Sequence, residues 1–227
     1  MDLVNDALGS NGPPGGPAFG RLPGAGWTLV RRDEQPEMPW ANGGGSTRQV
    51  AIEPVDGSLA AGFTWRVSCA RVDSDGPFSL LNGVDRSLWL WRGAGVRLAM
   101  PQGEVLLATP FARHDFAGEL AVHCTRLAGA CEDVNVMTNR ARCRSEARIA
   151  AVHAGSALAV PAAPEWLVLV LDGIVVVPTA DPSAPPIALA NGEALRGRGS
   201  VPRLVARTHA TALVAGFRRL EEDACSA

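Results

Sequence analysis

The 227-residue chain contains no lysine and no tyrosine; all 21 of its basic side chains are arginine. A Schiff-base lysine and a tyrosine general acid are thereby excluded. The base composition of coding DNA can by itself favour Arg over Lys, so not every arginine is read as functional. A strong charge of one sign is absent too. The formal net charge is −2, which points to neither nucleic acid nor an anionic membrane as a partner.

Cysteine comes as an odd count of five with no C-x-x-C spacing, so neither a disulfide framework nor a zinc site is expected. Cys69 and Cys124 sit inside apolar strand patterns and read as buried, inert thiols. No apolar run approaches the roughly 20 residues of a membrane span. The N-terminus lacks the basic start and continuous apolar core of a secretory signal. The expectation is a soluble, cytoplasmic protein.

Cofactor motifs are missing as well. There is no G-x-G-x-x-G, no phosphate-binding loop with Lys and no G-x-S-x-G. Gly43–Gly45 only echoes a phosphate loop, with no helical pattern after it. The four histidines, His114, His123, His153 and His209, show no i, i+2 or i, i+4 pairing. A bound metal needs several convergent donors, so no metal and no cofactor is expected. His123 alternates with strand residues and reads as a hydrogen-bonded wall residue.

What is present is a long series of short strand patterns, in a chain whose 47% hydrophobic content supplies a sizeable core. Residues 1–24 are rich in Gly, Pro, Asn and Ser and are expected to form a disordered leader. Strand patterns follow at Trp27–Arg31, Ser46–Glu53, Phe63–Ala70, Arg86–Arg92, Val96–Met100, Glu104–Ala108, Leu120–Leu127 and Asp133–Met137. In Phe63–Ala70, Phe63, Trp65, Val67 and Cys69 share one face, and Thr64, Arg66 and Ser68 share the other. That second face fits either solvent or a polar pocket. Ser46–Glu53 puts Arg48, Val50 and Ile52 on one face and Thr47, Gln49 and Glu53 on the other. Arg86–Arg92 is apolar on both faces.

After the polar stretch Thr138–Ser145 the pattern restarts at Ala147–His153, Trp166–Leu171, Ile174–Pro178, Pro186–Leu189, Arg203–Arg207 and Thr211–Arg219. The Arg140–Arg148 run reads as a solvated connector between two units. Leu171-Asp-Gly-Ile174 is a hairpin signal that matches Trp91-Arg-Gly-Ala-Gly-Val96 in the first half. Regular short strands with turn signals argue an all-β fold, a barrel or sandwich, present twice. The units are placed at residues 25–138 and 139–222, with a tail at 223–227.

The stretch Met38–Arg48 combines a Trp, an Asn, three successive glycines and an Arg. Glycines in a row belong where the backbone takes positive φ or is closely approached. Trp40, Asn42 and Arg48 supply a stacking surface, an amide and a fixed cation. Other polar residues of the first unit are Arg66, Ser68, Asp85, Arg86 and Asn135. Arginine matches a carboxylate with a planar fork, so the set suits a small acidic ligand. The plainer reading pairs Arg48 or Arg66 with Asp85 or Glu53 as structural ion pairs.

Five blocks occur in order: Met38-Pro-Trp-Ala-Asn-Gly-Gly-Gly-Ser-Thr-Arg48, Phe63-Thr-Trp-Arg-Val-Ser68, Asp75-Gly-Pro-Phe-Ser79, Gly83-Val-Asp-Arg86 and Asp133-Val-Asn-Val-Met-Thr138. Together they resemble the HutD/Ves family over roughly Trp27 to Thr138. The resemblance implies a cupin-superfamily double barrel, a bicupin of RmlC-like jelly rolls. It implies a metal-free protein associated with histidine utilisation. The family is thought to bind a small acidic intermediate such as N-formylglutamate and to restrain the pathway rather than catalyse a step. Where the family motif usually has Lys, this chain has Ala41.

Three functions compete. The first is a metabolite-binding regulator with Trp40, Asn42, Arg48, Arg66, Ser68, Asp85, Arg86 and Asn135 around the ligand. The second is a metal-free cupin enzyme, an isomerase or lyase, with Asp85, Glu53 or His123 as acid or base. The third is an interaction module. Self-association into a homodimer stays open.

Overall fold

A computed structural model describes residues 20–21, 26–179 and 183–220. The expected leader therefore lies outside the described residues, apart from Gly20–Arg21. In chain order the described strands of the first part are β1 (Gly20–Arg21), β2 (Trp27–Val30), β3 (Glu37–Pro39), β4 (Gly45–Glu53), β5 (Trp65–Val72), β6 (Gly76–Pro77), β7 (Val84–Arg92), β8 (Val96–Met100), β9 (Gly103–Leu107), β10 (Arg113–Ala117), β11 (His123–Arg126) and β12 (Cys131–Asn139). Then come β13 (Cys143–Val152), β14 (Glu165–Asp172), β15 (Val175–Val177), β16 (Ile187–Leu189), β17 (Ala194–Arg198), β18 (Val205–Ala206) and β19 (Ala210–Arg219). Among the described residues the only helical turn is the 3-10 segment Arg32–Glu34. No helix there is long and apolar enough to cross a membrane.

The strands form four antiparallel sheets. One six-stranded sheet runs β10-β7-β12-β5-β4-β3 and another runs β1-β2-β17-β14-β19-β13. A four-stranded sheet, β6-β11-β8-β9, covers the outer face of the first, and a three-stranded sheet, β16-β15-β18, covers the second. The described residues are all-β, with each large sheet covered by a smaller one.

Side-chain alternation explains the layering. Trp89 and Trp91 point into a central core shared by the two large sheets, while Leu88 and Leu90 point into the core under the four-stranded sheet. In β14, Leu167, Leu169 and Leu171 face the central core, and Trp166, Val168 and Val170 face the opposite core. Both strands read as apolar throughout because both of their faces are buried. At the seam Trp65 stacks on Phe217 with ring centroids 4.1 Å apart. Such a pair contributes about 0.5–1.5 kcal/mol beyond the area it buries.

Three expectations change. Trp27–Val30, assigned from sequence to the first unit, pairs with Ala194–Gly197 and belongs to the large sheet of the second half. The Arg140–Arg148 run is not a connector: the turn is short, and Cys143–Val152 is an edge strand paired with β19. Its few buried positions, Cys143 and Ala147, gave little apolar signal. Finally, a bulge between Gln49 and Ala51 breaks the alternation of β4. Thr47 and Gln49 therefore lie opposite Ala70 and Ser68, while Glu53 lies opposite Trp65 and faces the seam. One extra residue in a strand flips every side chain beyond it.

Cys69 and Cys124 are buried as expected, and so are Cys131 and Cys143. Burial pushes the Cys69 and Cys124 thiols up to about 12. They stay protonated at neutral pH and are poor nucleophiles.

Candidate functional site

Three adjacent strands of the first large sheet present alternate residues to the space under the smaller sheet. β5 presents Arg66 and Ser68, β12 presents Asp133, Asn135 and Met137, and β7 presents Arg86. The register places Asn135 opposite Ser68, and Met137 opposite both Arg66 and Arg86. These side chains line a cavity of about 360 Å³. Its remaining wall includes Trp40, Asn42, Phe78 and Leu81.

The glycine loop forms one lip. Gly43 has φ 68°, a left-handed conformation costly for any residue with a Cβ. At Gly45 an added Cβ would lie 2.1 Å from the Arg71 carbonyl oxygen. The Gly44 carbonyl accepts from the Asp73 and Ser74 amides at 2.8 and 3.0 Å. The Trp40 indole N–H donates to Thr47 Oγ1 at 2.8 Å, and the Gly44 amide donates to Asn42 Oδ1 at 3.0 Å. The loop thus holds Trp40 and Asn42 in place at the rim.

The floor is charged. Arg66 is 2% exposed and Arg86 7%. Arg66 Nε donates to Gln49 Oε1 at 3.0 Å, and no described residue accepts from its two terminal nitrogens. Arg86 donates from Nε and Nη2 to Asn135 Oδ1 at 3.4 and 3.3 Å. Its guanidinium lies against both Phe78 and Phe116, 5.1 and 4.8 Å from their ring centroids. Such contacts stabilise a desolvated cation and fix its plane. Burial lowers both guanidinium groups to about 10, so both are protonated at neutral pH.

Asp133 is the third charge. Asn135 Nδ2 donates to its Oδ1 at 3.0 Å. Burial pushes the Asp133 carboxyl up to about 6, opposed by the Asn135 hydrogen bond and the Arg86 charge. With two cations and one carboxylate, the floor carries a net positive charge. Its unfilled guanidinium donors fit an incoming carboxylate. Asp133 Oδ2, with no donor among the described residues, fits an incoming N–H.

Of the eight residues singled out from sequence, Trp40, Asn42, Arg66, Ser68, Arg86 and Asn135 come together here. Arg48 and Asp85 do not. Arg48 lies opposite Cys69, whose side chain is in the central core, and its buried Nε has no hydrogen-bond partner among the described residues. Asp85 is exposed and accepts from Arg140 Nε at 2.8 Å. Glu53 faces the seam, where Arg196, Arg198 and Arg219 bond it. Exposed His123 lies on β11, outside this cavity. Sequence reasoning missed Asp133 and Phe78. Asp133 stands two residues before Asn135 on one strand, and that period was the available signal. Ala41, where the resembled family has Lys, lines the same cavity.

Among the described residues no group of three or more His, Cys, Asp or Glu is placed to hold a metal ion.

An uncharacterised 21.2 kDa protein in the hutC 3′ region of Pseudomonas putida is 36% identical over 109 residues, 48% of this chain and 56% of that protein. Protein Ves of Citrobacter koseri is 35% identical over 121 residues, 52% of this chain and 60% of that protein. The match thus spans little more than half the length of these relatives. A conserved protein of unknown function from Pseudomonas aeruginosa PAO1 superposes with a TM-score of 0.72 at 28% identity, covering 86% of this chain and 99% of that one. The nickel-bound pirin YhhW of Escherichia coli superposes with a TM-score of 0.60 over 83% of this chain and 97% of that one. At 9% identity it shows a shared fold alone. The HutD family profile matches residues 32–214, and the chain belongs to the HutD family.

Proposed function

We propose that this chain is a metal-free bicupin whose first barrel binds a small acidic metabolite and so modulates histidine utilisation. The observation that carries the reading is the pair of buried arginines. Arg66 and Arg86 face one cavity with a single carboxylate, Asp133, between them in charge. Burying cations costs several kcal/mol unless a partner arrives, and a ligand carboxylate is that partner. The open acceptor on Asp133 adds a second requirement, an N–H on the ligand. N-formylglutamate carries both groups. The link to histidine utilisation is supported by family membership and by the Pseudomonas putida relative, named for the hutC 3′ region.

Calorimetry with N-formylglutamate, glutamate and urocanate tests this. Binding of N-formylglutamate ahead of urocanate is expected. No heat from any of the three at about millimolar concentration, the weak end of specific binding, would defeat the proposal.

One observation favours a second reading, a metal-free isomerase or lyase acting on a small carboxylate. The Asp133 carboxyl, raised to about 6, is suited to general base work near neutral pH. A change in the NMR spectrum of a bound carboxylate over time, abolished in Asp133→Asn, would support turnover over binding alone.

A further inference from the structure

The two buried arginines of the cavity are held in the same way, by neutral amides. Arg66 Nε donates to Gln49 Oε1 at 3.0 Å, and Arg86 donates to Asn135 Oδ1 at 3.4 and 3.3 Å. Among the described residues neither guanidinium donates to a carboxylate. The more exposed Arg140, Arg196 and Arg219 all do, to Asp85, Glu53 and Glu165. A buried charge without a bonded counter-charge is strongly destabilising, so this distribution runs opposite to what stability alone favours.

The register repeats too. Gln49 lies opposite Ser68 on β5, and Arg66 stands two residues before Ser68. Asn135 lies opposite Leu88 on β7, and Arg86 stands two residues before Leu88. In each case the amide occupies the diagonal position on a neighbouring strand, within reach of a long side chain. For Gln49 this placement depends on the bulge between Gln49 and Ala51. Without the extra residue Val50 would take the place opposite Ser68 and Gln49 would turn to the other face. The Gln49 backbone N–H donates to Pro36 O at 2.9 Å, which fixes the strand at this point. Gln49 is partly buried and is not among the side chains that line the cavity.

We infer that Gln49 is a positioning residue for Arg66: its neutral amide fixes the guanidinium and leaves both the charge and the terminal N–H groups to the ligand carboxylate. This role rests on the acidic-ligand reading of the cavity. A carboxylate side chain of the same length would bond Arg66 more strongly, but it would neutralise the cation from within the protein. The strand bulge and the choice of an amide together keep the cation aimed and open.

The test combines thermal melts of the ligand-free full chain at pH 7 with calorimetric titration of N-formylglutamate. Gln49→Glu is expected to raise the melting temperature by about 2–4 °C, since a neutral hydrogen bond becomes a charge-assisted one. The same variant is expected to weaken N-formylglutamate binding at least about tenfold. Higher stability with lower affinity is a combination that a merely structural Gln49 would not produce. Gln49→Met, of similar length but without the acceptor, serves should Gln49→Glu misfold, and is expected to weaken binding roughly 3- to 10-fold. A ligand-free Gln49→Glu protein no more stable than the unaltered one overturns the inference. So does unaltered affinity in either variant. Silence of the unaltered protein toward N-formylglutamate defeats the acidic-ligand reading instead, and the ligand-free melts then decide by themselves whether Gln49 faces an unneutralised Arg66.

Discussion

Asn135 donates its side-chain amide to Asp133 at 3.0 Å, and this contact sets the chemistry of the cavity. It orients the amide so that Oδ1 faces Arg86 and Nδ2 faces the carboxylate. A buried cation and a buried anion are thereby linked through one neutral group, and each keeps free capacity for a ligand.

Asp133 makes the empty protein less stable at neutral pH. The unfolded chain releases this proton near the ordinary value of 3.8, and the folded chain holds it to about 6. Between those values the native state binds more protons, so stability falls as pH rises through the window and is not penalised below it. A shift of about two units corresponds to ~3 kcal/mol. Asp133→Asn is expected to raise the melting temperature at pH 7 and to leave it nearly unchanged at pH 4. Thermal melts of both proteins at the two pH values check this; an equal effect at both would remove the electrostatic explanation.

The glycine loop tolerates no side chain at Gly45. A Cβ there would lie 2.1 Å from the Arg71 carbonyl oxygen, and backbone cannot yield as a side chain can. Gly45→Ala should destabilise the fold by about 1–3 kcal/mol, as overpacking does. Urea unfolding measures it, and an unaltered midpoint would show that the loop shifts freely.

At the seam, Trp65→Phe keeps an aromatic ring on Phe217 but removes the only donor that reaches Glu165 Oε2 among the described residues. A buried acceptor left short of a donor costs about 1–3 kcal/mol. Adding Glu165→Gln to Trp65→Phe should recover part of that loss. A double-mutant cycle by chemical denaturation reads the coupling, and strict additivity would count against the hydrogen bond.

Much of this was legible in the sequence, for identifiable reasons. The alternation in Phe63–Ala70 placed Trp65, Val67 and Cys69 on the core side and Arg66 and Ser68 on the other, as found. Whether that polar face met solvent or a pocket could not be read from the strand itself, because the roof at Pro77–Leu81 comes from the connection that follows it and its fold-back is not encoded in the alternation. Arg48 went astray through geometry rather than chemistry. Strand pairing sets it on the face shared with Cys69, and single-strand periodicity does not say which face meets a cavity. The pairing of Trp27–Val30 with Ala194–Gly197 joins segments far apart in the chain, a non-local choice that no short pattern encodes.

The most direct measurement is a side-by-side calorimetric titration of N-formylglutamate into the unaltered protein, Arg66→Ala and Arg48→Ala. Arg66 opens into the cavity and Arg48 lies across the sheet from it. Loss of one charged hydrogen-bonding partner weakens binding roughly 10- to 100-fold. The account predicts that loss for Arg66→Ala and near-normal affinity for Arg48→Ala. Undiminished binding in Arg66→Ala, or loss confined to Arg48→Ala, would contradict it.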